Sequence, residues 1–168
     1  MEIRFGRQSD IAAITDIFNF YILNSYARFE ERIFTLEDRQ QWFEQFRADS
    51  KYQLYVACHE NDILGFACSQ QYRAIEAFDD TVEVTIYLLE RAKGQRVGSL
   101  LYQRLFSELA TQNVHRALSG IALPNAASIG LHQQFGFSQV GVFDQYAKKN
   151  GQYLSAMWLE KVFSNHPA

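Results

Sequence analysis

Apolar positions fall into two alternating rhythms along the chain. Ile11, Ile14, Ile17, Phe18, Tyr21 and Ile22 recur three and four apart behind Ser9-Asp10, which predicts a capped helix after a short strand at residues 2–5. Thr35, with Asp38 three residues on, opens a second helix carrying Leu36, Trp42, Phe43 and Phe46. Strands at about 53–59 and 63–71 come next, joined at Asn61-Asp62. From Thr81 to Leu88 the alternation is strict: Val82, Val84, Ile86 and Leu88 face one way, Glu83, Thr85 and Tyr87 the other. Val97, Leu101, Leu105 and Leu109 then mark a central helix, succeeded by a strand at 117–122 and a helix from Asn125 to Phe135. Strands at 137–146 and 153–162 turn at Asn150-Gly151, a strong hairpin signal. The order β-α-α-β-β-β-α-β-α-β-β predicts an α/β fold with a mixed sheet and helices packed on it. One domain over residues 1–163 is expected, with a short tail at 164–168.

Composition narrows the class. At 168 residues, 48% hydrophobic and 21% charged, the chain has enough apolar matter for one core and is not disordered. Its net charge of −3 argues against a protein that coats nucleic acid by neutralising phosphates. The segment 117–143 carries no formal charge, but Pro124, Asn125, Gln133-Gln134 and four glycines break it, so no membrane span is expected. Met1-Glu2-Ile3-Arg4 offers no apolar signal core, and a cytoplasmic location is expected. Cys58 and Cys68 read as reduced thiols; a two-residue turn between their strands would set Cys58 opposite Gly65 and point the two to opposite faces. The aromatics are unevenly spread: nine of 25 lie within residues 18–46.

The most informative segment is Lys93-Gly94-Gln95-Arg96-Val97-Gly98-Ser99, which succeeds a strand and opens a helix. Backbone N–H groups and the positive helix end there favour a phosphate, and Arg91, Lys93, Arg96 and Arg104 add positive charge. It is neither a Walker loop nor a dinucleotide fingerprint, because neither glycine spacing is present.

Joined to the helix from Asn125 to Phe135, this segment resembles the acetyl-CoA loop of the GCN5-related N-acetyltransferases, whose pattern is [QR]-x-x-G-x-[GA]. Lys93, Arg96 and Gly98 stand at the pattern positions. Lys93 keeps a positive donor for the pyrophosphate. Arg96 replaces a glycine, so either the backbone takes an ordinary φ there or affinity falls, with Gly94 in partial compensation. Asn125-Ala126-Ala127-Ser128, His132 and Phe135-Gly136-Phe137 resemble the family's next helix, whose Asn and Ser bind the pantetheine arm. From Ile3 to about Val162 the chain is similar to the phosphinothricin acetyltransferase branch, through Phe18-Asn19, Tyr72-Arg73, Thr81 to Tyr87 and Asn125 to His132. Asp79-Asp80 departs from the more basic or aromatic residues expected there, which bears on the substrate and not on the chemistry.

The resemblance implies the GCN5-related fold and acetyl-CoA as cosubstrate, with no metal. It further implies a small amino-acid-like acceptor such as phosphinothricin, methionine sulfoximine or methionine sulfone, and a homodimer. Acetyl-CoA is expected on Ile86, Tyr87, Leu88, Lys93, Gly94, Gln95, Arg96, Val97, Gly98, Ser99, Asn125 and Ser128. Glu83 is the branch's general base and His132 its contact to the departing sulfur; a backbone N–H near Tyr87-Leu88 meets the oxyanion. Phe29, Tyr72, Arg73, Glu83 and Thr85 are expected to bind the acceptor, Arg73 through its carboxylate. No cysteine stands at the expected thioester site, which favours direct transfer in a ternary complex. Two alternatives stay open: acetylation of a polyamine, aminoglycoside or protein amine, using Asp79-Asp80, and a non-catalytic acyl-CoA-binding module.

Overall fold

The computed structural model describes residues 1–60 and 62–163. Asn61, expected from the sequence in the first hairpin turn, and the expected tail at 164–168 lie outside the described residues. The strands are β1 (Glu2–Phe5), β2 (Leu54–His59), β3 (Asp62–Gln71), β4 (Thr81–Leu88), β5 (Arg116–Ala122), β6 (Ser138–Lys149) and β7 (Gln152–Val162). The helices are α1 (Ile11–Asn24), α2 (Leu36–Phe43), α3 (Val97–Leu109) and α4 (Ala126–Gln134). This is the order the periodicity predicts, with short 3-10 turns added at Gln8–Asp10, Glu76–Phe78 and Glu90–Ala92.

The strands form one sheet in the order β1-β2-β3-β4-β5-β7-β6. Every neighbouring pair is antiparallel except β4 and β5, and that pair is short: Thr81, Val82 and Glu83 face Arg116, Ala117 and Leu118. Beyond Glu83 the two strands part. From Val84 to Leu88, β4 is laddered only to β3. Each sheet face carries its own core. Leu101, Leu105 and Leu109 of α3 are fully buried on one face against Val82, Val84 and Ala117. Each such leucine stabilises the fold by about 1.5–3 kcal/mol. On the other face Phe18 and Tyr21 of α1, with Phe46 just beyond α2, pack against Leu54, Val56 and Phe66. That second layer also covers the Glu83-Thr85-Tyr87 face of β4, so the polar side of the strand is half-buried.

Local signals and local structure agree at some ends and differ at others. Thr35 caps α2 as expected: its Oγ1 accepts from Asp38 N at 3.1 Å and Asp38 Oδ2 accepts from Thr35 N at 2.7 Å. Phe46 lies beyond that helix, which stops at Phe43. Asp10 makes no side-chain cap to α1. Its carboxylate instead receives Arg4 in a fork, at 2.7 and 2.8 Å, and Arg7 N at 2.7 Å. Burial pushes the Asp10 pKa up, but these donors outweigh it and hold the carboxyl below its ordinary range. The expected register of the cysteines is corrected. A bulge between Ala57 and Cys58 sets Ala57 opposite Gly65 and Cys58 opposite Ile63. The extra residue reverses the parity of the strand, so Cys58 and Cys68 are both buried in the same core layer, as free thiols.

Candidate active site

Where β4 and β5 part, a cleft of about 570 Å³ opens between β4, the N-terminus of α3 and α4. The loop preceding α3 is built for that position. Gly94 takes a left-handed φ of +73° with open space around it, and Arg96, the N-cap residue, takes +63°. A left-handed backbone costs a side-chain-bearing residue roughly 1–2 kcal/mol. The loop therefore keeps the glycine-type turn at Arg96, rather than the ordinary φ that the substitution leaves open. Arg96 makes no side-chain cap, and the first intrahelical bond from this end runs from Leu100 N to Arg96 O. The N–H groups of Val97, Gly98 and Ser99 are thus left for another acceptor. All three residues line the cleft, beside Lys93 and Arg96. An uncapped helix start flanked by two cations fits a pyrophosphate. An unladdered strand edge fits a chain of amides such as pantetheine. Acetyl-CoA combines the two.

Eleven of the twelve expected cofactor residues line this one cleft; Gln95 does not, and its amide donates to Arg91 O at 2.6 Å. The basic cluster is smaller than the sequence suggests. Arg91 pairs with Asp62 at 2.8 Å and Arg104 with Glu108 at 3.0 Å, and neither lines the cleft; among the described residues Lys93, itself paired with Glu90, and Arg96 are the cations that do. Gly98 has a packing reason as well, since a Cβ there would meet Leu131 at 3.1 Å. Asn125 caps α4, its Oδ1 accepting from Ser128 N at 3.2 Å, which leaves its amide N–H groups free toward the cleft. Sequence reasoning missed Tyr21 and Ala27 on the opposite wall. Tyr21 reads as ordinary helix core, and only the fold turns its hydroxyl onto Leu88 O at 2.8 Å.

A second pocket adjoins the cleft through Ala27, which lines both, and it contains Glu83, Gln70, Phe29, Arg28 and Glu30. Gln70 is the cross-strand partner of Glu83. Burial pushes the Glu83 pKa above the ordinary carboxylate value and the nearby Arg28 charge pulls it partly back, leaving it raised. The residues after α1 reach this pocket because the β6–β7 hairpin holds them. Lys149, only 1% exposed, donates its three N–H groups to Ile22 O, Ser25 O and Arg28 O at 2.7, 2.8 and 2.9 Å. Asn150 N donates to Glu31, and Tyr26 Oη meets Gln152 Oε1 at 2.9 Å.

Four expected acceptor or catalytic residues lie outside both pockets. His132 is 1% exposed: its Nδ1–H donates to Ser128 O at 2.7 Å, and Nε2 accepts from the buried Tyr102 hydroxyl at 2.7 Å. Burial lowers its pKa, and both ring nitrogens are occupied within the protein. The expected contact between His132 and the departing sulfur therefore has no free ring nitrogen behind it. Arg73 is exposed beyond the end of β3, with its guanidinium over Tyr72 at 5.1 Å and Phe78 at 5.2 Å. Tyr72 packs on Phe78 and Trp158. Thr85 is half-buried on the Glu83 side of β4 without lining either pocket. The Asp79-Asp80 pair is equally remote. Asp80 ties β4 to β5, its carboxylate accepting from Asn113 at 2.7 Å and its carbonyl from His115 N at 2.8 Å.

Comparison with known proteins agrees with this geometry. A family model described as an acetyltransferase (GNAT) domain matches residues 3–158. The chain is 39% identical over 163 residues to a phosphinothricin N-acetyltransferase of Streptomyces coelicolor, covering 96% of this chain and 95% of the relative. It is 31% identical to an L-methionine sulfoximine/L-methionine sulfone acetyltransferase of Salmonella typhimurium, covering 100% and 98%. Among solved structures, yncA of Salmonella typhimurium with its cofactor acetyl-CoA superposes with a TM-score of 0.92 at 30% identity, covering 99% and 96%. A ribosomal-protein-alanine N-acetyltransferase of Brucella melitensis superposes with 0.91 at 31%, covering 96% and 99%. The parted strands, the uncapped helix start behind them and these matches lead to one conclusion: the chain belongs to the GNAT family and is an acetyl-CoA-dependent N-acetyltransferase.

Proposed function

We propose that the acceptor is the α-amine of a small amino acid or analogue of the phosphinothricin, methionine sulfoximine or methionine sulfone type. The observation that carries this reading is the pocket around Glu83 that joins the cleft at Ala27. It sets a carboxylate and an arginine beside the cofactor cleft, and the curated relatives carry the same substrate classes in their names. Acetyl-CoA supplies the acetyl group as a thioester. Lys93, Arg96 and the N–H groups at the start of α3 hold its phosphates, and Asn125 and Ser128 its pantetheine arm. Glu83 accepts a proton from the acceptor's ammonium group, directly or through one water, which frees the nitrogen lone pair for attack on the acetyl carbonyl. A backbone N–H near Tyr87-Leu88 stabilises the negative charge that develops on the carbonyl oxygen; as the C–N bond forms the C–S bond breaks, and CoA leaves as a thiolate that takes up the second proton of the attacking nitrogen through solvent. Transfer is direct in a ternary complex, because Cys58 and Cys68 are buried in the α1–α2 core layer, away from the cleft. The protein acts in the cytoplasm as a homodimer, a reading supported by the exposed apolar residues Val140, Val142, Phe143 and Tyr146 on β6.

Thiol release, measured with phosphinothricin, methionine sulfoximine, methionine sulfone and a panel of plain amino acids, tests the reading. Turnover with at least one of them is expected, together with a Glu83→Gln loss of kcat/KM of about 100-fold or more. No turnover with any of them would sink it. The similarity to a ribosomal-protein-alanine N-acetyltransferase keeps a peptide amine in view as a second reading; turnover confined to peptides would favour that one.

A further inference from the structure

Arg28 belongs to the segment that Lys149 holds against the second pocket. Its guanidinium lies 4.9 Å from the Phe18 ring, 5.7 Å from Tyr87 and 5.8 Å from Phe34. Nε donates to Glu30 Oε2 at 2.9 Å, and Nη2 donates to the other carboxylate oxygen. Arg39 sits over two of the same rings, 5.1 Å from Phe18 and 3.9 Å from Phe34. It is 9% exposed, makes no salt bridge among the described residues, and its buried Nε has no hydrogen-bond partner. Burial first, and then the Arg28 charge, pull its pKa down to about 10. Arg28 is thus directly bonded to one carboxylate, Glu30, whose side chain is 36% exposed and free to turn toward water, while Arg39 feels the charges of Asp38 and Glu30 without a salt bridge to either. Gln70 completes the wall: its Oε1 accepts from Trp42 Nε1 at 3.3 Å, which leaves its amide N–H groups for the pocket.

Arg28 is the one cation among the described residues that line the pocket holding Glu83, and an acceptor that carries a carboxylate beside its amine complements both groups. We propose that Arg28, with the Gln70 amide beside it and Arg39 behind, receives the carboxylate of the acceptor, which takes the place that Glu30 holds here. The acceptor's amine then lies toward Glu83 across the same pocket. This inference rests on the amino-acid reading above and gives the specificity to Arg28 rather than to Arg73, which lies outside the pocket.

The test compares an acceptor amino acid with its carboxamide in the wild type, Arg28→Met, Arg28→Lys, Arg73→Ala and Glu30→Gln. Losing a desolvated charge partner should raise the KM for the acid by about 30-fold or more in Arg28→Met. The KM for acetyl-CoA should hold, and the preference for acid over carboxamide should collapse. Arg28→Lys should recover part of that preference, and Arg73→Ala should retain it. If Arg28→Met does not fold, Glu30→Gln decides: removing the competing carboxylate should lower the KM for the acid several-fold and leave the carboxamide unchanged. A preference that survives Arg28→Met and is lost in Arg73→Ala, or a Glu30→Gln enzyme with an unchanged KM for the acid, would overturn the assignment. A wild type that acetylates neither compound overturns the amino-acid reading itself.

Discussion

Single residues here carry conformational and hydrogen-bonding costs that sequence pattern does not display. Arg96 holds a left-handed φ of +63° at the mouth of the cofactor cleft. Arg96→Gly relieves that strain, and after the extra chain entropy of glycine the net gain should be up to about 1 kcal/mol. A higher urea midpoint at unchanged m-value is the expected result, with a raised KM for acetyl-CoA because a cation leaves the cleft. The buried Tyr102–His132 pair behaves oppositely. Since Nδ1–H is committed to Ser128 O, Nε2 depends on the Tyr102 hydroxyl at 2.7 Å. Tyr102→Phe strands that nitrogen in the core and should cost about 1–3 kcal/mol, read from the same urea titrations. The activity of the folded fraction should change little, as neither residue lines a pocket.

Among elements, the decisive relation is between the β6–β7 hairpin and the segment after α1. Asn150 and Gly151 take φ of +48° and +80°, the geometry that joins two antiparallel strands tightly, so the tip is set by local chemistry. What the tip does is not local. Lys149 reaches back across most of the chain to Ile22, Ser25 and Arg28, and its charge lies at the negative end of α1. Lys149→Met keeps the apolar stem but leaves three carbonyls without their donor. A loss of about 2–4 kcal/mol of stability is expected. The KM for the acceptor should rise well beyond any change in the KM for acetyl-CoA, because the loosened segment walls the acceptor pocket and supplies only Ala27 to the cleft. Steady-state kinetics with each substrate varied in turn, together with thermal melts, checks both parts.

For the molecule as a whole, the raised pKa of Glu83 couples activity and stability to pH in opposite senses. The base acts only when ionised, so kcat/KM should climb with pH through the raised value, and Glu83→Gln should abolish that limb. A carboxyl whose pKa is higher folded than unfolded stabilises the fold while both states are protonated, and that contribution is lost as pH rises through the folded value. Glu83→Gln should therefore gain stability over the wild type as pH is raised from about 4 toward neutrality. Urea titrations of both proteins across that range measure the difference. Much of the molecule can be read from its sequence alone. The strand and helix order, the Thr35 cap, the Asn150-Gly151 turn and eleven cleft-lining positions rest on periodicity and on motifs local in the chain, where neighbouring residues fix the outcome. The tertiary structure decided what depends on distant partners. The Ala57/Cys58 bulge reversed a strand's parity, Asp62 and Glu108 drew Arg91 and Arg104 away from the cleft, and burial closed His132. The acceptor side belongs to the same class: Arg28, Glu30, Gln70 and Lys149 carry no motif, and only packing between α1, β3 and the last hairpin brings them together around one pocket. Spacing along the chain sets local geometry, but which charges meet in a low-dielectric space is settled by the fold.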